Sequence, residues 1–325
     1  MVDGIGRTID YLRISVTDKC NLRCQYCMPK EGVKRLPHDM LLRLEEIYRV
    51  VLVMADLGVK KVRFTGGEPL VRKNFVKLIS DVRKISGIEE IALTTNGILL
   101  KEMAYELKEA GVDRVNVSLD TCDEKTFADI TGYDGYQQVR EGIVAAKAAG
   151  MGVKINCVPC LELNGGDLEN MALLAKDDGI DVRFIELMPV GCGKCFHGIP
   201  SDEVLDRLSV RFGRPVPCME KRGSGPAMYY NFDGFCGKIG VISPMSHKFC
   251  KNCNRVRLTA EGQLKLCLHF NSGIDLKPLL LQGAGDEELK TVICEAMMKK
   301  PASHDFENMQ GGGENDTRKM VQIGG

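Results

Sequence analysis

An α/β fold built on parallel strands is what this sequence of 325 residues predicts, and three observations carry the prediction. Short β-branched runs recur along the first two thirds. Between them lie stretches with apolar residues at three-to-four spacing, and Gly closes many of those stretches. The strand candidates, in order, are LRISVT (12–17), VRFTGG (62–67), IALTTN (91–96), VNVSLD (115–120), VKINCVP (153–159) and VRFIELMPV (182–190). RLEEIYRVVLVMADLG, MAYELKEAG and VREGIVAAKAAG are the clearest helical segments between them. Strand–helix alternation of this kind implies right-handed crossovers between parallel strands. Six such units predict a partial (β/α)6 TIM-like barrel, although an open doubly wound sheet has the same alternation. Both architectures place sites at the C-terminal ends of the strands. There the sequence carries TGGEP, TTNG, SLD and ELMPVG.

Near residue 200 the rhythm breaks. PVPCMEKRGSGPAMYYNFDGFCGKIGVIS is turn-rich with short extended pieces, so residues 1–213 read as the barrel and 214–325 as a smaller C-terminal segment. Residues 301–325 are polar and Gly-rich, which predicts a mobile tail ending in Gly324–Gly325.

Lys+Arg 44 balances Asp+Glu 44, so no global charge points to nucleic acid or an acidic membrane. No run approaches the roughly 18 apolar residues that span a bilayer, and the N-terminus lacks a secretion pattern. A cytoplasmic protein is expected. Its fourteen cysteines would then stay reduced, and the clustered ones point to metal rather than disulfides.

Two clusters stand out. Cys20-x3-Cys24-x2-Cys27 follows the first strand, and Cys250-x2-Cys253 is followed by Cys267. Thiolates ligate iron–sulfur clusters and zinc. Three of them on a four-iron cube leave one iron open to a small chelating molecule. A structural zinc wants a fourth protein ligand; His247 is a candidate beside the second group, and the first group has no nearby His. Two further pairs, Cys157/Cys160 and Cys192/Cys195, admit a third metal site, but the favoured reading is buried small hydrophobes, as for Cys122, Cys218, Cys236 and Cys294.

CNLRCQYC is similar to the CxxxCxxC motif of the radical S-adenosylmethionine (SAM) superfamily. With the second triplet, the NRVRL inside it and the terminal Gly-Gly, nearly the whole chain resembles the GTP 3′,8-cyclase family of molybdenum-cofactor biosynthesis. The resemblance implies two [4Fe–4S] clusters, one on Cys20, Cys24 and Cys27 and one on Cys250, Cys253 and Cys267. The first would cleave SAM to a 5′-deoxyadenosyl radical that takes hydrogen from the ribose C3′ of GTP, so that C3′ joins C8. The second would bind the purine. SAM would be held by Tyr26, Gly67, Ser118 and Met188, and GTP by Arg13, Arg63, Thr94, Lys154, Arg255, Val256 and Arg257. Arg13 and the tail residues Gly324 and Gly325 are implied in catalysis. The resemblance also implies a reductase or flavodoxin-like electron donor and the downstream pyranopterin synthase as partners, and it admits a homodimer.

The residues support part of this independently. Arg13, Arg63 and Lys154 lie within predicted strands, where an inward cation must pair or bind an anion. Arg255 and Arg257 share one face of a predicted strand. No GxxxxGK[ST] is present, so GTP is expected as a substrate held by side chains. The competing readings are another radical SAM enzyme with an auxiliary cluster acting on a peptide, and a zinc-binding module.

Overall fold

The computed structural model describes residues 1–220, 222–306 and 316–324. Its first part alternates as predicted: β1 (Tyr11–Ser15), α1 (Leu44–Asp56), β2 (Lys61–Thr65), α2 (Phe75–Arg83), β3 (Glu90–Thr95) and α3 (Leu100–Glu109). β4 (Arg114–Ser118), α4 (Glu124–Thr131), α5 (Tyr136–Ala148), β5 (Gly152–Cys157), α6 (Leu168–Lys176) and β6 (Asp181–Ile185) complete it. After α7 (Ser201–Phe212) come β7 (Val216–Cys218), β8 (Met228–Asn231), β9 (Ile239–Ile242), β10 (Arg255–Leu258), β11 (Gln263–Lys265) and β12 (Gly273–Asp275). The chain finishes with α8 (Lys277–Leu281), α9 (Asp286–Met298) and α10 (Met320–Ile323).

All six predicted strands form, each starting one residue earlier than its apolar run suggests. Local chemistry explains the helices between them. α1 buries Ile47, Val50, Val51 and Met54 along one stripe. α4 starts where the Asp123 side chain accepts from Thr126 N and ends at Gly132, φ +69°.

Among the described residues the strands make one sheet in the order β12-β11-β10-β1-β2-β3-β4-β5-β6-β9-β8-β7. β10 runs parallel to β1 and β9 parallel to β6, so residues after 213 extend both edges of the six-stranded barrel. Local sequence patterns do not place these two strands beside the barrel, because each is only four residues long and lies in a turn-rich stretch.

Alternation along the strands separates the core from the lumen. Leu12, Ile14, Val62, Phe64, Val182 and Phe184 belong to the buried apolar cluster. The residues between them, Arg13, Arg63 and Arg183, line a cavity.

The spare cysteines correct one expectation. Cys157 and Cys160 are buried, but Cys122, Cys192 and Cys218 are half-buried and Cys195, Cys236 and Cys294 are exposed. Cys294 shows why: α9 buries its neighbour Ile293 along with Leu289, Ala296 and Met297, which turns Cys294 away from the core.

Candidate active site

The first triplet sits in the loop that leaves β1. A helical turn joins Cys24 and Cys27, with Cys27 N and Met28 N both donating to the Cys24 carbonyl at 2.9 and 3.1 Å. Arg23 N to Thr131 O and Gln25 N to Ile130 O fasten the loop to the end of α4. The Cys20 sulfur accepts from Leu22 N at 3.4 Å and from Asn96 Nδ2 at 3.8 Å. Burial pushes the Cys27 thiol up to about 12, with the charge of Cys20 adding to it. Burial, Cys27, Asp120 and Cys20 push Cys24 well above its ordinary value. Three thiols that oppose one another's ionisation in a buried loop call for a multivalent cation, which is what an iron–sulfur cube offers. Among the described residues, no group of three or more His, Cys, Asp or Glu closes around a single metal ion.

The TGGEP turn packs directly on this loop. Gly67 N donates to Thr17 O and Glu68 N to Lys19 O, and a Cβ at Gly67 would lie 2.4 Å from the Lys19 carbonyl oxygen, so glycine is required. The buried Glu68 carboxylate accepts from Thr95 Oγ1, Asn96 N and Leu70 N, fixing the TTNG turn beside it. Burial raises its pKa to about 7 against those hydrogen bonds. Tyr26 donates to Asp120 Oδ2 at 2.6 Å. Burial holds the Asp120 carboxyl up at about 6, opposed by Tyr26 and Val158 N. Tyr26 and Ser118 line one small hollow with Cys24, Asn96 and Asp120. Met188 lines a separate, larger cavity instead.

That cavity, about 1040 Å³ including its open mouth, holds the second triplet. Cys250, Cys253 and Cys267 share its wall with Arg13, Arg63, Arg255, Val256 and Arg257. Register brings the cations together: Arg13 lies opposite Arg63 on one side and Arg257 on the other. Burial, then neighbouring guanidinium charge, lowers Arg13 well below its ordinary value. Arg257 is lowered to about 10 by burial and then Arg255. The Nε atoms of Arg63 and Arg255 are buried without a partner. Buried cations with unused donors form a site for a polyanion. Burial alone would raise the Cys253 thiol, but Lys300 and Arg255 hold it below its ordinary value, which favours the thiolate a cluster needs.

Two predicted nucleotide residues do not line this cavity. Lys154 is paired with Asp181 at 3.1 Å and bonded to Tyr229 OH and Arg222 O, each at 2.9 Å. Thr94 keeps a buried Oγ1 that has no partner. His247 bonds Asp202 at 2.9 Å and does not line the cavity, so it is not the expected ligand beside the second triplet. Sequence reasoning missed Arg183, Lys300, His269 and His304, all on the cavity wall. Arg183 had a usable signal: the strand triplet VRF at 182–184 repeats the VRF at 62–64 that holds Arg63. It donates to Asn116 Oδ1, burial lowers it to about 10, and its Nε is unpartnered. The other three lie beyond any strand pattern.

The tail reaches the strand ends of β1 and β2. The Gly324 carbonyl accepts from Arg257 Nη1 at 2.5 Å, and a Cβ at Gly324 would lie 2.9 Å from Ser15 Cβ at φ +85°. Gly325 lies outside the described residues.

Residues 14–175 match the Radical SAM superfamily and residues 180–306 match Molybdenum Cofactor Synthesis C. A GTP 3′,8-cyclase of Pelotomaculum thermopropionicum is 49% identical over 329 residues, covering 100% of both chains. One of Clostridium perfringens (strain 13 / Type A) is 46% identical over 325 residues, again covering 100% of both. In fold, the chain is similar to Streptococcus suis SuiB bound to S-adenosylmethionine, at TM-score 0.63 and 14% identity over 98% of this chain and 78% of that one. Identity of this degree along the full length, with one matched family for each cysteine triplet, leaves no part of the chain unaccounted for: it belongs to the GTP 3′,8-cyclase family.

Proposed function

We propose that this protein is a radical SAM lyase that converts GTP to (8S)-3′,8-cyclo-7,8-dihydroguanosine 5′-triphosphate, the first step of molybdenum-cofactor biosynthesis. The observation that carries the reading is the cavity where Cys250, Cys253 and Cys267 face Arg13, Arg63, Arg183, Arg255 and Arg257. A purine nucleoside triphosphate would suit both the open iron that a cluster on these three thiolates would supply and the set of buried guanidiniums.

When bound, the first cluster and SAM supply a 5′-deoxyadenosyl radical, and the second cluster supplies an open iron for the purine. Cys20, Cys24 and Cys27 hold the one, and Cys250, Cys253 and Cys267 the other. The chain's own work is positioning. Arg13, Arg63, Arg183, Arg255 and Arg257 take the triphosphate through charge-assisted hydrogen bonds. Val256 lies between Arg255 and Arg257 with its side chain turned into the apolar core, so it meets the purine through its backbone. Lys154 and Thr94 contact the nucleotide after rearrangement of the Lys154–Asp181 pair. Tyr26, Gly67 and Ser118 line the path of SAM, with Met188 contributing from the wall of the larger cavity. Gly324 closes the lumen from the strand ends and keeps water from the radical.

An electron donor of the reductase or flavodoxin type, the downstream pyranopterin synthase and a cytoplasmic setting follow from the same reading, which also admits a homodimer. No helix among the described residues is long and apolar enough to cross a membrane. The test is anaerobic incubation of reconstituted protein with SAM, reductant and GTP. GTP-dependent 5′-deoxyadenosine together with a cyclised nucleotide is expected; equal turnover with ATP or a peptide would overturn the assignment.

A further inference from the structure

Cys192 and Cys195 have no part in that reaction. They lie in the 3-10 turn Gly191–Cys195 that follows β6, as Cys192-Gly-Lys-Cys195. Residues three apart eclipse in a 3-10 turn, and a rise of about 2.0 Å per residue puts their Cα atoms about 6 Å apart on one side. A disulfide spans Cα separations of roughly 4.4–6.8 Å and brings the Cβ atoms to about 3.5–4.5 Å, so closure needs the two eclipsed side chains to tilt together by about 2 Å. Gly193 N to Val190 O at 3.0 Å and Phe196 N to Gly193 O at 3.4 Å hold this turn.

Accessibility sets the pair apart from the other spare one. Cys195 is exposed and Cys192 half-buried, so one thiol meets solvent and the second stands behind it. Cys157 and Cys160 are both buried, and their sulfurs are engaged by Asn164 and Glu162. The location also matters. Cys192 lies within electrostatic reach of Cys27, and Val321 of α10 bonds Cys27 through its backbone. A Cβ on Gly191 would sit 3.0 Å from Lys319 Cα, and Val190 packs with Phe306 and Ile323. The turn therefore abuts both the first triplet and the seat of the tail.

We propose that Cys192 and Cys195 form a reversible dithiol–disulfide site that exchanges with a small thiol/disulfide couple of the glutathione type. The Cys195 thiolate attacks the small disulfide, forming a mixed disulfide and releasing one thiol. Cys192 then displaces the second thiol and closes the Cys192–Cys195 bond. Two electrons and two protons pass from the protein, and one small disulfide becomes two thiols. The exposed Cys195 is the attacking group and the recessed Cys192 the resolving one.

The experiment equilibrates cluster-loaded protein anaerobically across ratios of oxidised to reduced glutathione, quenches in acid, alkylates and maps the peptides. The peptide carrying both residues is expected to lose its two alkyl groups together in one two-electron transition, with Cys157 and Cys160 still alkylated after denaturation. Cys192→Ser is expected to stop at a glutathione adduct on Cys195, with iron content and cluster absorbance unchanged; Cys195→Ser removes the transition. A native protein that stops at the Cys195 adduct, that changes neither thiol, or that joins Cys192 to a different cysteine overturns the proposal. Loss of iron in Cys192→Ser also overturns it, since Cys192 would then serve the first cluster.

Discussion

Arg63 is buried among other guanidiniums, with its Nε unpartnered and its charge over the Tyr11 ring at 5.4 Å. Arg63→Ala removes a charge-assisted hydrogen bond of about 1.5–3 kcal/mol, so the Kd for GTP by calorimetry is expected to rise roughly 10–100-fold with iron content unchanged. Cys267→Ser is expected to lower iron by about half in reconstituted protein, leaving SAM cleavage but no cyclised nucleotide, read by liquid chromatography. Glu68 gives a pH signature. Its folded pKa, raised by burial to about 7, lies above the ordinary 4.5, so the ionised form is penalised in the native state. That penalty is full above pH 7 and fades as pH falls toward 4.5. The Tm of the native protein relative to Glu68→Gln is therefore expected to rise on going from pH 8.5 to pH 5.5. Among these residues, Arg63 and Cys267 were legible in the sequence, one as a cation inside a strand and the other by cysteine spacing. Glu68 stood in a quoted motif, but its buried acceptor role needed the TTNG turn brought beside it.

At the scale of elements, α10 and the residues before it act as a plug held by charge. Asp316 accepts from Lys265 and Arg318, and Lys265 is fully buried in β11. Arg318 and Lys265 hold the Asp316 carboxyl down at about 2, against the effect of burial. Asp316→Ala leaves a buried ammonium without its partner, a loss of about 3–5 kcal/mol. Amide hydrogen exchange across 316–324 is expected to accelerate in this variant, with the barrel strands β2 to β5 unchanged. Protection equal to that of the native tail would show that Val190, Phe306 and Ile323 hold it alone. Composition suggested a mobile tail, since polar and Gly-rich segments lack apolar area. The described part of the tail is anchored instead, because Lys265 and Arg257 lie far away in sequence and meet it only in the folded chain.

For the whole molecule, the strands after residue 213 cover both edges of the barrel. Unpaired strand edges template aggregation. A 1–213 fragment, cut in the loop between α7 and β7, is expected to aggregate on size-exclusion chromatography, whereas the full chain does not. Residue order alone predicts the alternation of strands and helices, the two cysteine triplets and the inward cations of β1, β2 and β10. These are local signals: a period, a spacing, a charge in an apolar run. That β9 and β10 complete the sheet, that Arg183 joins the cavity, that Lys154 is held by Asp181 and that Gly324 packs at Ser15 emerges only from the folded chain. Each of those depends on residues remote in sequence meeting through strand register or side-chain pairing, and a single sequence read locally carries no record of such distances.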